Sequence, residues 1–513
     1  MRSKTLKNII LILACTIVGK LLSYVWEAVL AAKLGTSDQA DAFYMTTSVF
    51  TILYPILDIG IWKVFLPIYK KLATNEEEKA NSFASTALTA FLCISAVLVV
   101  FLLVFAKPIV MIIAPGFSPD KKALTTYYLR ISAPSYFLMA SASVIGAVLE
   151  CHGRFFGSQL RQIGTHASKI IYLFVLYKYI GIYAALTAAL IGSIVRLIIQ
   201  LPFINWGWKY KPDFRFGDPN VRDMLKGLPS VGLTVAIANI NELIDKMIAS
   251  GAHGGAVSCL NYGNKLVNVF SGMVSSAIVT AVYPTMIQHI AKNEDEKLRS
   301  LVNKSISALI FVIVPVSAFC ILFSGDIVSA AFERGAFTPA DTVLTGSVFL
   351  GYASGMLFTA IAAVITSVFY GYGNTKINLM ISVLNIALNV AFDLILYRFL
   401  GIMGLAIATS ISAAICLVVS LILLKKYIRL GYRRLLTELI KVLLISAVSV
   451  IPAYVLFGRV LSLNVYLSLI LSVIMIAAIY MALSKLLELS SQKYIFEFIR
   501  GFLKRKRTDD KAE

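Results

Sequence analysis

Leu176-Tyr-Lys-Tyr-Ile-Gly-Ile182 returns about 220 residues further on as Leu396-Tyr-Arg-Phe-Leu-Gly-Ile402, a conservative match at every position. Each copy closes one long apolar run and opens the next. Working outward, Phe117-Ser-Pro-Asp120 recurs as Phe337-Thr-Pro-Ala340, and Leu124-Thr125 as Leu344-Thr345. Pro67 and Asn75-Glu-Glu-Glu-Lys79 recur as Pro284 and Asn293-Glu-Asp-Glu-Lys297. A period this long, carried by several segments in the same order, marks a duplicated structural unit.

The chemistry of the unit follows from composition. The chain has 513 residues, 58% of them apolar and only 14% charged, with a mean hydropathy of +0.82. Soluble domains carry roughly 25% charged residues, so an ordinary cytosolic enzyme is excluded. Apolar runs able to cross about 30 Å of hydrocarbon recur almost end to end. They centre near 8-33, 42-69, 82-106, 125-149, 156-178, 181-206, 221-249, 256-288, 301-323, 342-370, 376-399, 401-424, 435-457 and 463-485. The expected fold is therefore an all-α integral membrane protein of about fourteen spans. Two parallel six-helix repeats are followed by two extra C-terminal helices. Six spans per repeat, an even number, gives both halves the same orientation about an axis along the membrane normal.

The expected organisation is an N-terminal lobe at 1-207, a linker at 208-226, a second lobe at 227-430, helices 13 and 14 at 431-488, and a basic tail at 489-513. The formal charge of +20 sits mostly in short connections, including Trp208 to Lys226, Lys425 to Arg434 and Lys504-Arg-Lys-Arg507. That pattern reads as topology and contact with membrane lipids, with no nucleic acid, and it places both termini in the cytoplasm. The start, Met1 to Thr16, imitates a signal peptide, but its apolar stretch continues through Leu34 and reads as an uncleaved first span. Cys15, Cys93, Cys151, Cys259, Cys320 and Cys416 show no metal or redox spacing.

Charged residues within spans cost about 2.5 to 3.5 kcal/mol each at the bilayer centre, so they belong against protein or water. The first span holds Lys20 and Glu27, seven residues apart on one helical face. Asp41 and Asp58 bracket the second span, with Lys63 nearer its inner end. The seventh holds Asn241, Glu242, Asp245 and Lys246, and the eighth Asn261, Asn264, Lys265 and Asn268. The repeat sets Asp245 opposite Glu27. Lysines with balancing carboxylates suit an anionic, amphiphilic substrate in a cleft, or else pair helix to helix. Two similar bundles facing one another favour alternating access.

The eleventh span carries Asn378, Asn385, Asn389 and Asp393 along one stripe. Such an oxygen-rich face binds a hard monovalent cation such as sodium, with Asp245 and Thr409 as further donors, or else stitches helices together. No organic cofactor is expected. Catalysis has no support: His152, His166, His253 and His289 are scattered, and no nucleophile, metal-hydrolase or phosphate-loop motif occurs.

Gly35-Thr-Ser-Asp-Gln-Ala-Asp-Ala-Phe43, Phe332-Glu-Arg-Gly-Ala-Phe-Thr338 and Phe369-Tyr-Gly-Tyr-Gly-Asn-Thr375 resemble segments of the MurJ (MviN) lipid II flippases. That family belongs to the multidrug/oligosaccharidyl-lipid/polysaccharide exporter superfamily. The resemblance runs from about Lys20 to Leu424. It implies a fourteen-helix protein of the bacterial cytoplasmic membrane. Such a protein moves an undecaprenyl-pyrophosphate-linked peptidoglycan precursor outward without ATP. Lipid-linked oligosaccharide and membrane lipids would be its partners, with cell-wall synthesis proteins a further class.

By the same resemblance, arginine positions lining the family's cavity fall on Lys20, Trp26, Tyr54 and Lys265, with Glu27 in an acidic position. Lysine keeps charge without the bidentate fork, and the two aromatics carry no charge. The implied substrate-binding set is Lys20, Trp26, Glu27, Asp41, Tyr54 and Lys265. The implied sodium set is Asp245, Asn389, Asp393, the Leu405 carbonyl and Thr409. Competing readings are a flippase for a capsule or exopolysaccharide unit, a cation-coupled multidrug exporter, and a transport-inactive scaffold for wall synthesis.

Overall fold

A computed structural model describes residues 2–204, 208–461 and 463–495, without the side chains of 2–14, 16, 17, 56, 230, 233–235 and 238. The basic run at 504–507 and most of the expected tail lie outside the described residues. Every regular element among the described residues is helical. Contacts divide the chain into two compact units, 1–258 and 259–513.

The first unit holds α1 (Arg2–Leu34), α2 (Asp38–Gly60), α3 (Leu66–Asn75), α4 (Glu77–Ile113), α5 (Pro119–Ser132), α6 (Pro134–Cys151), α7 (Phe155–Ile180), α8 (Ile182–Ile198) and α9 (Pro219–Ala249). A π-helical turn, Ile61–Phe65, joins α2 to α3 without breaking the rod. α10 (Ala256–Ala291) begins at the end of this unit and runs into the second. There follow α11 (Asp295–Leu322), α12 (Ser324–Phe332), α13 (Pro339–Ala353), α14 (Met356–Gly371), α15 (Thr375–Leu400), α16 (Ile402–Leu424), α17 (Tyr432–Ala453) and α18 (Val465–Leu486).

Each of the fourteen expected stretches overlaps a helix among the described residues. Among the described residues, ten helical runs are long and apolar enough to cross a bilayer, and α13 with α14, bent by 42°, makes an eleventh. The other three stretches fall on the helices α1, α7 and α9. Outward-facing Val97, Val104, Leu444 and Ile474 are exposed, as hydrocarbon-facing positions should be.

The repeat is visible in the backbone. α7 and α15 each span 26 residues. Each ends at a glycine with almost the same dihedrals, φ 54° and ψ −135° at Gly181 and φ 57° and ψ −140° at Gly401. That region is open essentially to glycine alone, so both copies need it to turn straight into the next helix. Likewise Ser118 caps α5 and Thr338 caps α13, each through its side-chain oxygen.

In the first unit, Phe65 stacks on Tyr69 and Phe83 with ring centroids 5.5 and 5.3 Å apart. Trp208, at the head of the expected linker, joins this core, and its indole donates to Ser85 Oγ at 3.1 Å. In the second unit, α17 and α18 dock on α11. The Tyr480 hydroxyl donates to the Phe311 carbonyl at 2.8 Å, and buried Glu438 accepts from Ser307 Oγ and Ser491 N, both at 2.7 Å.

Candidate functional site

In the first unit, α1, α2 and α5 to α8 bring most of the expected polar residues into structured environments. Glu27 is buried and accepts from the Tyr44 hydroxyl at 2.9 Å, which ties α1 to α2. Trp26 is also buried, and Lys169 Nζ on α7 stands 4.3 Å from its ring centroid. The uncharged position thus has a cation supplied by another helix. Lys20 is exposed.

Tyr54 is half-buried and donates to Asp58 Oδ1 at 3.1 Å, while the Arg196 guanidinium lies 5.2 Å from its ring centroid. Asp58 is a hub. It accepts from Ser143 Oγ and from Arg196 Nη2 at 3.2 Å, and Arg161 Nη1 lies 3.9 Å away. Arg161 also covers Trp62, 5.2 Å from its centroid.

Asp41 is spent inside the protein. Lys121 Nζ reaches its Oδ2 at 2.6 Å, and the backbone N–H groups of Gly255 and Ser258 donate to it at 2.8 Å each. Its carboxylate therefore caps the start of α10 from another helix, where an anion is favoured. On α9, Lys246 pairs with Glu242 at 2.8 Å and donates to Ser48 Oγ at 3.0 Å. The ion pair stays within α9, and the hydrogen bond to Ser48 links α9 to α2. Asp245 is buried in the same unit.

In the second unit, Lys265 is exposed on α10. Asn389 and Asp393 on α15 are fully buried. Asn389 Nδ2 donates to Asp393 Oδ1 at 3.4 Å and to Thr409 Oγ1 at 3.3 Å, and Thr409 donates to the Leu405 carbonyl at 3.2 Å. Four of the five residues named for a cation thus converge across α15 and α16, while Asp245 belongs to the other unit. Asn378 turns elsewhere and donates to the Thr366 carbonyl at 3.3 Å. Among the described residues, no group of three or more His, Cys, Asp or Glu could hold a metal ion. The donors present are one carboxylate, one amide, a hydroxyl and a carbonyl. That oxygen-rich set fits sodium better than a transition metal.

The Phe332 to Thr338 segment packs on itself and on α10: the Phe332 and Phe337 ring centroids lie 5.7 Å from one another, and 5.1 and 5.6 Å from that of Tyr262. Arg334 donates to the Ala331 carbonyl at 2.7 Å, closing the turn.

Sequence reasoning missed Arg161, Lys169 and Arg196. The signal was available, because the rule that flags charge inside spans applies equally to the fifth and sixth stretches, where these residues stand.

A helical bundle with this many apolar spans, carrying buried charge on several of them, belongs to the class of multi-pass membrane proteins. A family model described as lipid II flippase MurJ matches residues 30–481, and the chain belongs to that family, whose members are multi-pass proteins of the bacterial cytoplasmic membrane. A probable lipid II flippase MurJ of Borreliella burgdorferi is 25% identical over 460 residues, covering 89% of this chain and 90% of its own length. That of Rickettsia prowazekii is 24% identical over 403 residues, 78% of this chain and 79% of the relative. Among solved structures, a lipid II flippase MurJ in an inward closed conformation superposes with a TM-score of 0.81 at 22% identity, covering 93% of this chain and 98% of that one. An inward-facing multidrug resistance MATE family transporter of the MOP superfamily gives a TM-score of 0.67 at 17% identity, over 82% and 95% of the two chains.

Proposed function

We propose that this chain carries lipid II, the undecaprenyl-pyrophosphate-linked peptidoglycan precursor, across the cytoplasmic membrane by alternating access. It does so without catalysing a covalent step. The observation that carries the reading is the family match, which runs through both repeats and into α18. Lys20, Lys265 and Glu27 handle the polar head group, Lys20 and Lys265 as exposed point charges that pair with phosphate. Sodium or the membrane potential drives the cycle, the potential supplying about 2.3 kcal/mol per charge per 100 mV. Asn389, Asp393, Thr409 and the Leu405 carbonyl hold the ion. Both termini face the cytoplasm, and cell-wall synthesis proteins are its natural partners.

Trp26 and Tyr54, standing at positions where the family carries arginine, favour a second reading: a flippase for another lipid-linked glycan. Complementation separates the two. Expression in a strain depleted of its own lipid II flippase restores growth under the first reading. Lack of growth at normal membrane levels of the protein sinks it in favour of the second.

A further inference from the structure

Four helices of the first unit meet at Asp58. Tyr54 and Asp58 come from α2, Ser143 from α6, Arg161 from α7 and Arg196 from α8, with Gln200 just past its end. The two guanidinium groups share this one carboxylate as their ion-pair partner. The other carboxylate felt by Arg161 is Glu150, which accepts from Ser158 Oγ at 2.7 Å and Gln159 Nε2 at 3.3 Å.

Arg161 Nε and Nη1 and Arg196 Nε are buried without a hydrogen-bond partner, Nη1 facing Asp58 only at the 3.9 Å of the ion pair, and Gln200 Oε1 is likewise without one. Buried donors left without acceptors are rare in folded proteins and point to a ligand or water. Both forks are also held in place. Tyr54 and Trp62 back them as flat plates, and Gly146 leaves the room that Arg161 occupies. A Cβ at Gly146 would stand 2.9 Å from Arg161 Nη1.

Access is one-sided. Asp58 is 23% exposed, whereas the side chains of Arg161 and Arg196 are 7% and 9% exposed. The carboxylate thus stands in front of the guanidiniums. The cluster also lies near one end of the unit: Arg161 is six residues, about 9 Å, inside the start of α7, and Arg196 is two residues from the end of α8. The basic connection at 208–226 leaves from that same end, which is the cytoplasmic one if both termini are cytoplasmic.

We propose that Arg161 and Arg196 form a loading subsite for a phosphate group of the lipid-linked substrate, with Asp58 as a resident counter-ion that the phosphate displaces. The proposal rests on the lipid-flippase reading above. Paired planar forks match phosphate oxygens bidentately, which the exposed lysines Lys20 and Lys265 cannot do.

The test measures binding of undecaprenyl pyrophosphate, undecaprenol and inorganic pyrophosphate to the purified full chain. Wild type prefers the pyrophosphate lipid over both other probes. Arg161→Gln and Arg196→Gln each cut that preference about tenfold or more. Arg→Lys variants, which keep the charge, retain part of it and serve where a glutamine variant fails to elute as a single species. Asp58→Asn raises affinity, because it removes the internal competitor; a purely structural network would lose affinity instead.

Unchanged preference in both glutamine variants, weaker binding in Asp58→Asn, or equal binding of inorganic pyrophosphate overturns the proposal. Its failure is separable from that of the function. Growth rescue by wild type with unaltered binding in the arginine variants drops the subsite alone. No rescue, with the expected binding pattern intact, drops lipid II alone.

Discussion

Lys121 Nζ lies 2.6 Å from Asp41 Oδ2, with both side chains almost wholly buried. The pair locks the start of α5 to the start of α2, and through Asp41 to the N–H groups that open α10. Removing one partner of a buried pair leaves an uncompensated charge and costs about 3 to 5 kcal/mol. Lys121→Met should therefore lower the thermal midpoint of the detergent-purified protein sharply. The double variant Lys121→Met with Asp41→Asn should lose less than the two single losses combined.

Lys20 and Lys265 are exposed side chains on helices otherwise made for hydrocarbon or protein. Lys20→Ala and Lys265→Ala should each reduce transport about tenfold, with normal membrane levels, if each gives up one charge-assisted contact to phosphate. Rescue of a flippase-depleted strain reads this out. Full growth with both alanines together would leave the scaffold reading standing.

The Asn389, Asp393 and Thr409 cluster should respond to sodium as a bound ligand does. An ion that binds only the folded form stabilises it by RT ln(1 + [L]/Kd), about 2.7 kcal/mol at a hundred times Kd. Wild type should melt higher in sodium chloride than in choline chloride at equal ionic strength. Asp393→Asn and Thr409→Val should erase the difference, and its survival in both would remove the ion from this cluster.

Gly181 and Gly401 hold equivalent turns with positive φ in the two repeats. Alanine at either position should cost about 1 to 3 kcal/mol in thermal stability, since a Cβ is strained there whatever the surrounding space. Similar losses at the two sites would express the duplication as energy.

Trp208 inserts into a core made by α2, α3, α4 and α6. Trp208→Ala should cost about 3 to 5 kcal/mol. It should also make the connection from 208 to 218 cleavable under limited proteolysis that spares wild type.

What was legible in sequence, and what was not, divides along a physical line. Apolar run length reports whether a segment is stable in hydrocarbon, a property of the segment alone, so the all-helical, multi-pass character could be read. The repeat was readable for a similar reason: a turn such as Gly181 is set by local backbone geometry and persists through duplication. Charged spans were the difficulty. α1, α7 and α9 carry side chains whose cost depends on what they meet, and three cations on α7 and α8 went unweighed although the rule that flags charge inside spans covers them.

The sequence by itself determined that the chain is a duplicated, all-helical membrane bundle with two added helices, because hydropathy and period are additive along the chain. Only the tertiary structure decided which polar residues are already engaged inside the protein. It gave Asp41 to Lys121 and the start of α10, gave Lys246 to Ser48, set Lys169 over Trp26, and gathered Arg161, Arg196 and Asp58 from three helices. Partners far apart in sequence are chosen by packing, and in a low-dielectric interior that choice determines whether a charge is matched within the fold or left for a ligand.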